Sequence, residues 1–159
     1  MGKSITTILV MIILACPIQA ANNLEQDPII EHLKLSMDDL DEFQYSLKRC
    51  AGLLLASGTA MHKLSKEQGA QEFVDMGEDL MEFLAKFQIT KILEKELTQE
   101  TFSKVYRDNI KKVLEFNKLY YLRFQNNFKE QKLLIKQDSF LTEEVTFCIG
   151  IHDQLLRIN

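Results

Sequence analysis

The chain has no tryptophan, two prolines, six glycines and three cysteines in 159 residues. Proline and glycine this scarce argue against an all-β fold, which needs turn residues every 8–12 positions or so. Positive charge is not in excess: 19 bases meet 23 acids, net −4. Nucleic acid is therefore not expected as a partner, because phosphate binding needs a concentrated basic surface. Catalytic signatures are also missing. There is no Gly-x-Ser-x-Gly, no His-Glu-x-x-His, no phosphate-cradling glycine loop and no Cys-x-x-Cys. Each of these would bring a nucleophile, a metal-bound water, a phosphate or a redox pair to one place. No cofactor is expected, and a non-enzymatic protein is.

The composition, 46% hydrophobic and 26% charged, is that of one ordinary globular domain. The longest apolar run is short and N-terminal, Ile5 to Ala15, behind the single charge of Lys3. A membrane span needs about 20 apolar residues, so this run reads as the core of a secretory signal peptide over 1–20. Pro17 ends it, and Ile18-Gln19-Ala20 offers a cleavage site after Ala20. Ile13-Leu14-Ala15-Cys16 is a competing reading, a bacterial lipobox that would lipidate Cys16 and anchor the domain to a membrane face. Membrane attachment is expected only in that case. Either route places the folded part outside the cytoplasm, periplasmic or secreted. Removing residues 1–20 takes away one lysine and no acid, which leaves 18 bases, 23 acids and net −5.

The rest reads as helix throughout. Residues 21–35 are the least patterned and are taken as a loosely structured N-terminal segment, in which Asp27-Pro28 can open a short helical turn that Ile29, Ile30, Leu33 and Leu35 would dock on the body. From 36 to 159 the pattern is a single-domain antiparallel bundle of about four helices. Ser36 caps the first, placed at about 37–63, with apolar positions at Leu40, Phe43, Leu47, Cys50 and Leu54 in steps of three and four. Its small residues, Ala51-Gly52 and Ala56-Ser57-Gly58, suit a close helix crossing. Ser65 to Gln68 reads as a capping box for a second helix carrying Phe73, Met76, Leu80, Phe83 and Phe87. Whether that helix runs on past Ile89-Thr90 to Leu93 and Leu97 is open. Thr98 caps the third helix, with fraying expected at Asn126-Asn127. Asp138 or Ser139 caps the fourth, whose stripe holds Leu141, Val145, Cys148 and His152.

Cys50 and Cys148 lie on the buried stripes of the first and last helices. Two cysteines in an exported chain are expected to pair as a disulfide. Cys148 and His152 share a face at metal-ligand spacing, but zinc needs three or four ligands and no fourth is apparent beside Cys50. A b-type haem between Met37 and His152 is excluded by the disulfide in an antiparallel pair of helices. It would leave Met37 about 13 Å from the level of His152, at 1.5 Å per residue. No metal site is expected.

Charge is uneven along the chain. Residues 21–97 hold 15 acids and 8 bases, whereas 98–159 hold 8 acids and 10 bases. Lys104, Lys111, Lys118 and Lys132 share a heptad phase on the outer side of the third helix, which makes them a candidate docking face for an acidic partner or anionic lipid. The acidic runs Asp38-Asp39-Asp41-Glu42 and Glu143-Glu144 are accounted for by helix dipoles. His32 and His62 have no partner that the sequence identifies.

The leading expectation is a binding protein of the bacterial envelope or exterior, of the inhibitor, adaptor, chaperone or immunity kind, acting on a protein partner. The alternative is a carrier of a small apolar ligand, with Phe73, Phe83, Phe87, Phe124 and Phe128 lining a cavity between helices.

Overall fold

A computed structural model describes residues 27–35, 39–65, 68–135 and 137–157. Residues 1–20, read above as a signal peptide, with Cys16 among them, and Ser36, Met37 and the Lys66-Glu67 pair fall outside them. Among the described residues all regular structure is helical, as the periodicity predicts. The helices are α1 (Ile29–Leu35), α2 (Leu40–Ala60), α3 (Ala70–Phe87), α4 (Gln99–Gln131) and α5 (Ser139–Arg157). None is long and apolar enough to cross a membrane.

α2 is the central helix. Its buried residues include Leu47, Cys50, Leu53, Leu54, Ala56 and Ala60, together with Ser46, Arg49 and Ser57. A helix buried on more than one stripe has neighbours on several sides. α3 runs antiparallel to it: Gly58 faces Ala70 and Val74, Ala51 faces Gly77, and the Gln44 and Gln88 side chains are hydrogen-bonded. The small-residue run makes these crossings close. A Cβ on Gly52 would stand 2.6 Å from Phe116 Cβ on α4, and one on Gly58 would stand 2.6 Å from the Ala70 carbonyl oxygen. Both contacts are shorter than real carbon contacts, so backbones meet where only hydrogen fits.

α4 buries Asn109, Val113, Phe116, Tyr120 and Phe124 against α2, in steps of three and four. α5 is joined to α2 through Cys50 and Cys148, whose Cα atoms lie 5.2 Å apart. The loop they close, at a sequence separation of 98, encloses α3 and α4. α1 follows Asp27-Pro28 as a short helix, and Ile29 is fully buried against the body.

The caps divide into those the sequence locates and those it does not. Thr98 forms a capping box with Thr101, and Asp138 Oδ1 accepts from the Leu141 amide at 3.1 Å. α2 is capped by Asp39, which accepts from the amides of Asp41 and Glu42 at 2.8 and 3.3 Å. The carboxylate thus satisfies helix-start donors that had been assigned to Ser36. Ser65 does not cap α3. Its hydroxyl donates back to the Met61 carbonyl within a π-helical turn, Met61–Ser65, and α3 starts after Gly69 at φ 90°. α3 does not run on to Leu97 either. A second π-helical turn, Gln88–Ile92, is followed by Glu94 at φ 50°, and Leu93 and Leu97 are exposed. Nor does α4 fray at Asn126-Asn127. It continues to Gln131, and Asn127 donates to the Leu134 carbonyl at 3.0 Å and to Asp138 at 2.9 Å.

Candidate interaction surfaces

The most buried chemistry is structural. Arg49 of α2 is fully buried, and its guanidinium donates to both oxygens of Glu144 on α5, at 3.2 and 3.1 Å. Its Nε donates to the Tyr120 hydroxyl at 2.7 Å, and a further nitrogen donates to the Asp27 carbonyl oxygen. Tyr120 donates in turn to Glu144, and the Ile29 amide donates to Glu144 Oε1 at 2.8 Å. Four parts of the chain (α2, α4, α5 and the start of α1) therefore close on one ion pair. Burial and the neighbouring Glu144 carboxylate push the Tyr120 hydroxyl well above the usual tyrosine range. Burial works against the Arg49 charge, yet Tyr120 and Glu144 hold its pKa above the ordinary value. Glu144 is therefore no helix-dipole acid; it is 4% exposed and answers a buried cation.

The histidines divide similarly. His32 Nδ1 is hydrogen-bonded to Glu42 on α2, and its Nε2 lies 2.6 Å from Asp27 Oδ2. The two carboxylates occupy opposite ring nitrogens, so they do not converge on one metal position. Burial lowers the His32 pKa, but bonding and attraction from Glu42 and Asp27 outweigh it, and the net direction is upward. His152 lies 3.2 Å from Asp79 of α3 and 3.2 Å from Asp153. His62 is exposed in the first π-helical turn. Cys148 is bonded to Cys50, so neither offers a thiolate beside His152. Among the described residues no group of three or more His, Cys, Asp or Glu side chains is placed to hold a metal ion.

The outer side of α4 carries charge and apolar surface together. Lys104, Arg107, Lys111, Leu114, Lys118 and Leu122 follow at steps of three and four, and all six are exposed. Leu114 is 53% exposed and Leu122 39%, and Ile110 flanks them at 36%. Lys132 does not belong to this face. The helix ends at Gln131, and Lys132 turns away in a left-handed conformation at φ 59°, its ammonium 5.9 Å from the Phe128 ring centroid. The heptad phase that linked it to Lys118 assumed a helix that has already stopped.

The five phenylalanines taken as a cavity lining sit in different settings. Phe124 is fully buried in the core, and Phe73 and Phe128 pack at its edge. Phe83 and Phe87 stack with centroids 6.2 Å apart and flank an open groove beside Asp79, Lys86 and Leu156. A more apolar cleft, about 470 Å³, lies elsewhere, between the start of α1 and the outer side of α5. Its walls include Ile30, Phe140, Phe147 and Thr146, with Glu143 and Glu144 alongside. The sequence signal for it was Phe140, Glu143, Glu144 and Phe147 at helical spacing, with nothing to show that α1 would form the opposite wall.

In comparison with known proteins, no family model, no curated protein and no solved structure matches the chain.

Proposed function

We propose that this is an exported, non-enzymatic interaction protein that docks a protein partner on the outer face of α4. One observation supports this reading above the others: the exposed file of four bases interrupted by Leu114 and Leu122. Single exposed leucines are ordinary, but aliphatic side chains set at helical spacing among like charges form a two-part surface. Bases steer and orient an acidic partner, while the aliphatic positions supply area to bury. The partner this suits is an acidic amphipathic helix. The disulfide is compatible with an oxidising, extracytoplasmic compartment, which supports the signal-peptide reading of residues 1–20 with a cut after Ala20.

The test is a photo-reactive side chain at Leu114 in cells, with one at Glu78 on α3 as control. A discrete adduct at Leu114, absent at Glu78 and lost in Lys104→Glu/Lys111→Glu/Lys118→Glu, supports the assignment. No adduct, or one indifferent to charge reversal, removes it. Adsorption of the protein to anionic vesicles without any protein adduct assigns the face to lipid instead.

A second reading, a small-ligand carrier, is favoured by the α1–α5 cleft. Its volume is within the range of ligand sites, about 300–1,000 Å³.

A further inference from the structure

We propose that the cleft between α1 and α5 takes an amphipathic organic cation, an apolar body ending in an amine or quaternary ammonium. The proposal rests on the carrier reading and adds the chemical class of the ligand.

The walls determine the body. Ile30, Phe140 and Phe147 present aliphatic and aromatic surface, and Ile30 is 47% exposed although it lies beside fully buried Ile29. Thr146 leaves room on the α5 side, because its hydroxyl is turned back to the Thr142 carbonyl oxygen at 2.7 Å.

The charges determine the end group. Among the described residues, the ionisable side chains that line the cleft are both acids, Glu143 and Glu144. Glu144 is occupied from the inside by Arg49, Tyr120 and the Ile29 amide. Glu143 is exposed and makes no ion pair with another described residue, so its carboxylate is available at the rim. A second guanidinium, Arg123, lies 4.6 Å from the Phe140 ring centroid but is held by Asp138 at 2.6 and 2.8 Å. A cation entering beside Glu143 meets an opposite charge and aromatic faces, the pairing that recognises ammonium groups. A fatty acid meets like charge at Glu143, with no base among the described lining residues to answer it.

The experiment follows the side-chain methyl signals of Ile29 and Ile30 by NMR, in protein purified with the N-terminus the cell leaves. The probes are octyltrimethylammonium, octanol and octanoate, each below its aggregation concentration. Saturable shifts at Ile30, strongest for the cation, weaker for the alcohol and weakest for the acid, are expected. Glu143→Gln should bring the three affinities together. Thr146→Trp, at an exposed position, should fill the cleft and abolish the shifts without lowering the melting temperature. If no probe shifts these signals, or Thr146→Trp leaves them, the carrier reading itself is overturned. If octanol and octanoate bind as tightly as the cation, the cleft stands and the assignment of ligand class is overturned.

Discussion

Arg49 and Glu144 meet inside the protein at a sequence separation of 95, one residue from Cys50 on α2 and four from Cys148 on α5. The covalent bond and the ion pair fasten the same crossing. They do so by different physics, and the two contributions can be separated.

The ion pair is expected to matter most when it is broken on one side. Glu144→Ala should cost about 3–5 kcal/mol, because Arg49 is left buried without its counter-charge. Arg49→Met together with Glu144→Leu should cost clearly less than either half-removal, since no orphaned charge remains. Urea denaturation of the parent, Arg49→Met, Glu144→Leu and the double variant closes the cycle. A double variant as unstable as the sum of the singles would mean that the two residues act independently. Arg49→Lys should fail to rescue, because one ammonium cannot reach Glu144, Tyr120 and the Asp27 carbonyl in the fork arrangement of a guanidinium.

The disulfide acts on the unfolded chain. A chain-entropy model assigns about 4.7 kcal/mol to a closed loop near 100 residues. Cys50→Ser and Cys148→Ser should each lower stability, and the double variant should lose little beyond either single one. Additive losses in thermal denaturation would show two independent buried thiols. Reductant should lower the melting temperature of the parent and leave the double variant unchanged.

These two fastenings were unequally legible in the sequence. The cysteines stood out because both fall on apolar stripes of a chain whose N-terminus reads as an export signal, and export would imply pairing. Arg49 sits beside Cys50 on the same helix, and Glu144 falls between Leu141 and Cys148 in helical phase, so a pair of opposite charges at core positions was on view. The reading failed because Glu144 follows another glutamate near a helix start, where a dipole explanation suffices. The same local sufficiency misplaced Ser36 and Ser65 as caps. Serine suits a helix start, but Asp39 offers a charged acceptor closer to the first turn, and Gly69 reaches a left-handed conformation that serine resists. Helix periodicity survives these errors because it averages over many residues. The cleft was not legible because one wall is α1, whose place against α5 depends on the Ile29 amide meeting Glu144, 115 positions along the chain.

α1 should loosen on the alkaline side. The folded His32 pKa lies above its ordinary value of 6.5, the carboxylates of Glu42 and Asp27 outweighing burial, with the Tyr45 ring 4.4 Å away. A group whose folded pKa is raised contributes stability that is complete below the unfolded pKa and is lost as pH rises through the folded one. Protection of the α1 amides from hydrogen exchange should therefore fall as pH climbs above 6.5, after correction for the intrinsic rate. His32→Gln should remove that pH dependence and leave α4 protection untouched. Salt should weaken the effect, since Asp27 is half exposed.

Asp138 predicts the opposite behaviour at the other end of the titration. Partial burial raises its pKa, but hydrogen bonds from Arg123, Asn127 and the Leu141 amide hold it below the usual 3.8. A depressed folded pKa contributes stability present above the unfolded value and lost as pH falls through the folded one. The loss should appear below about pH 4, within the carboxylate range. Asp138→Asn keeps a capping oxygen for Leu141 but removes the charge facing Arg123, so it should retain the start of α5 while abolishing this acid-linked loss. Asp138→Ala removes both. It should cost at least about 1 kcal/mol more than the asparagine variant at neutral pH, the usual worth of a helix cap. Equal stabilities of the two variants in urea would show that the α4–α5 connection is held by Arg123 and Asn127 through other groups.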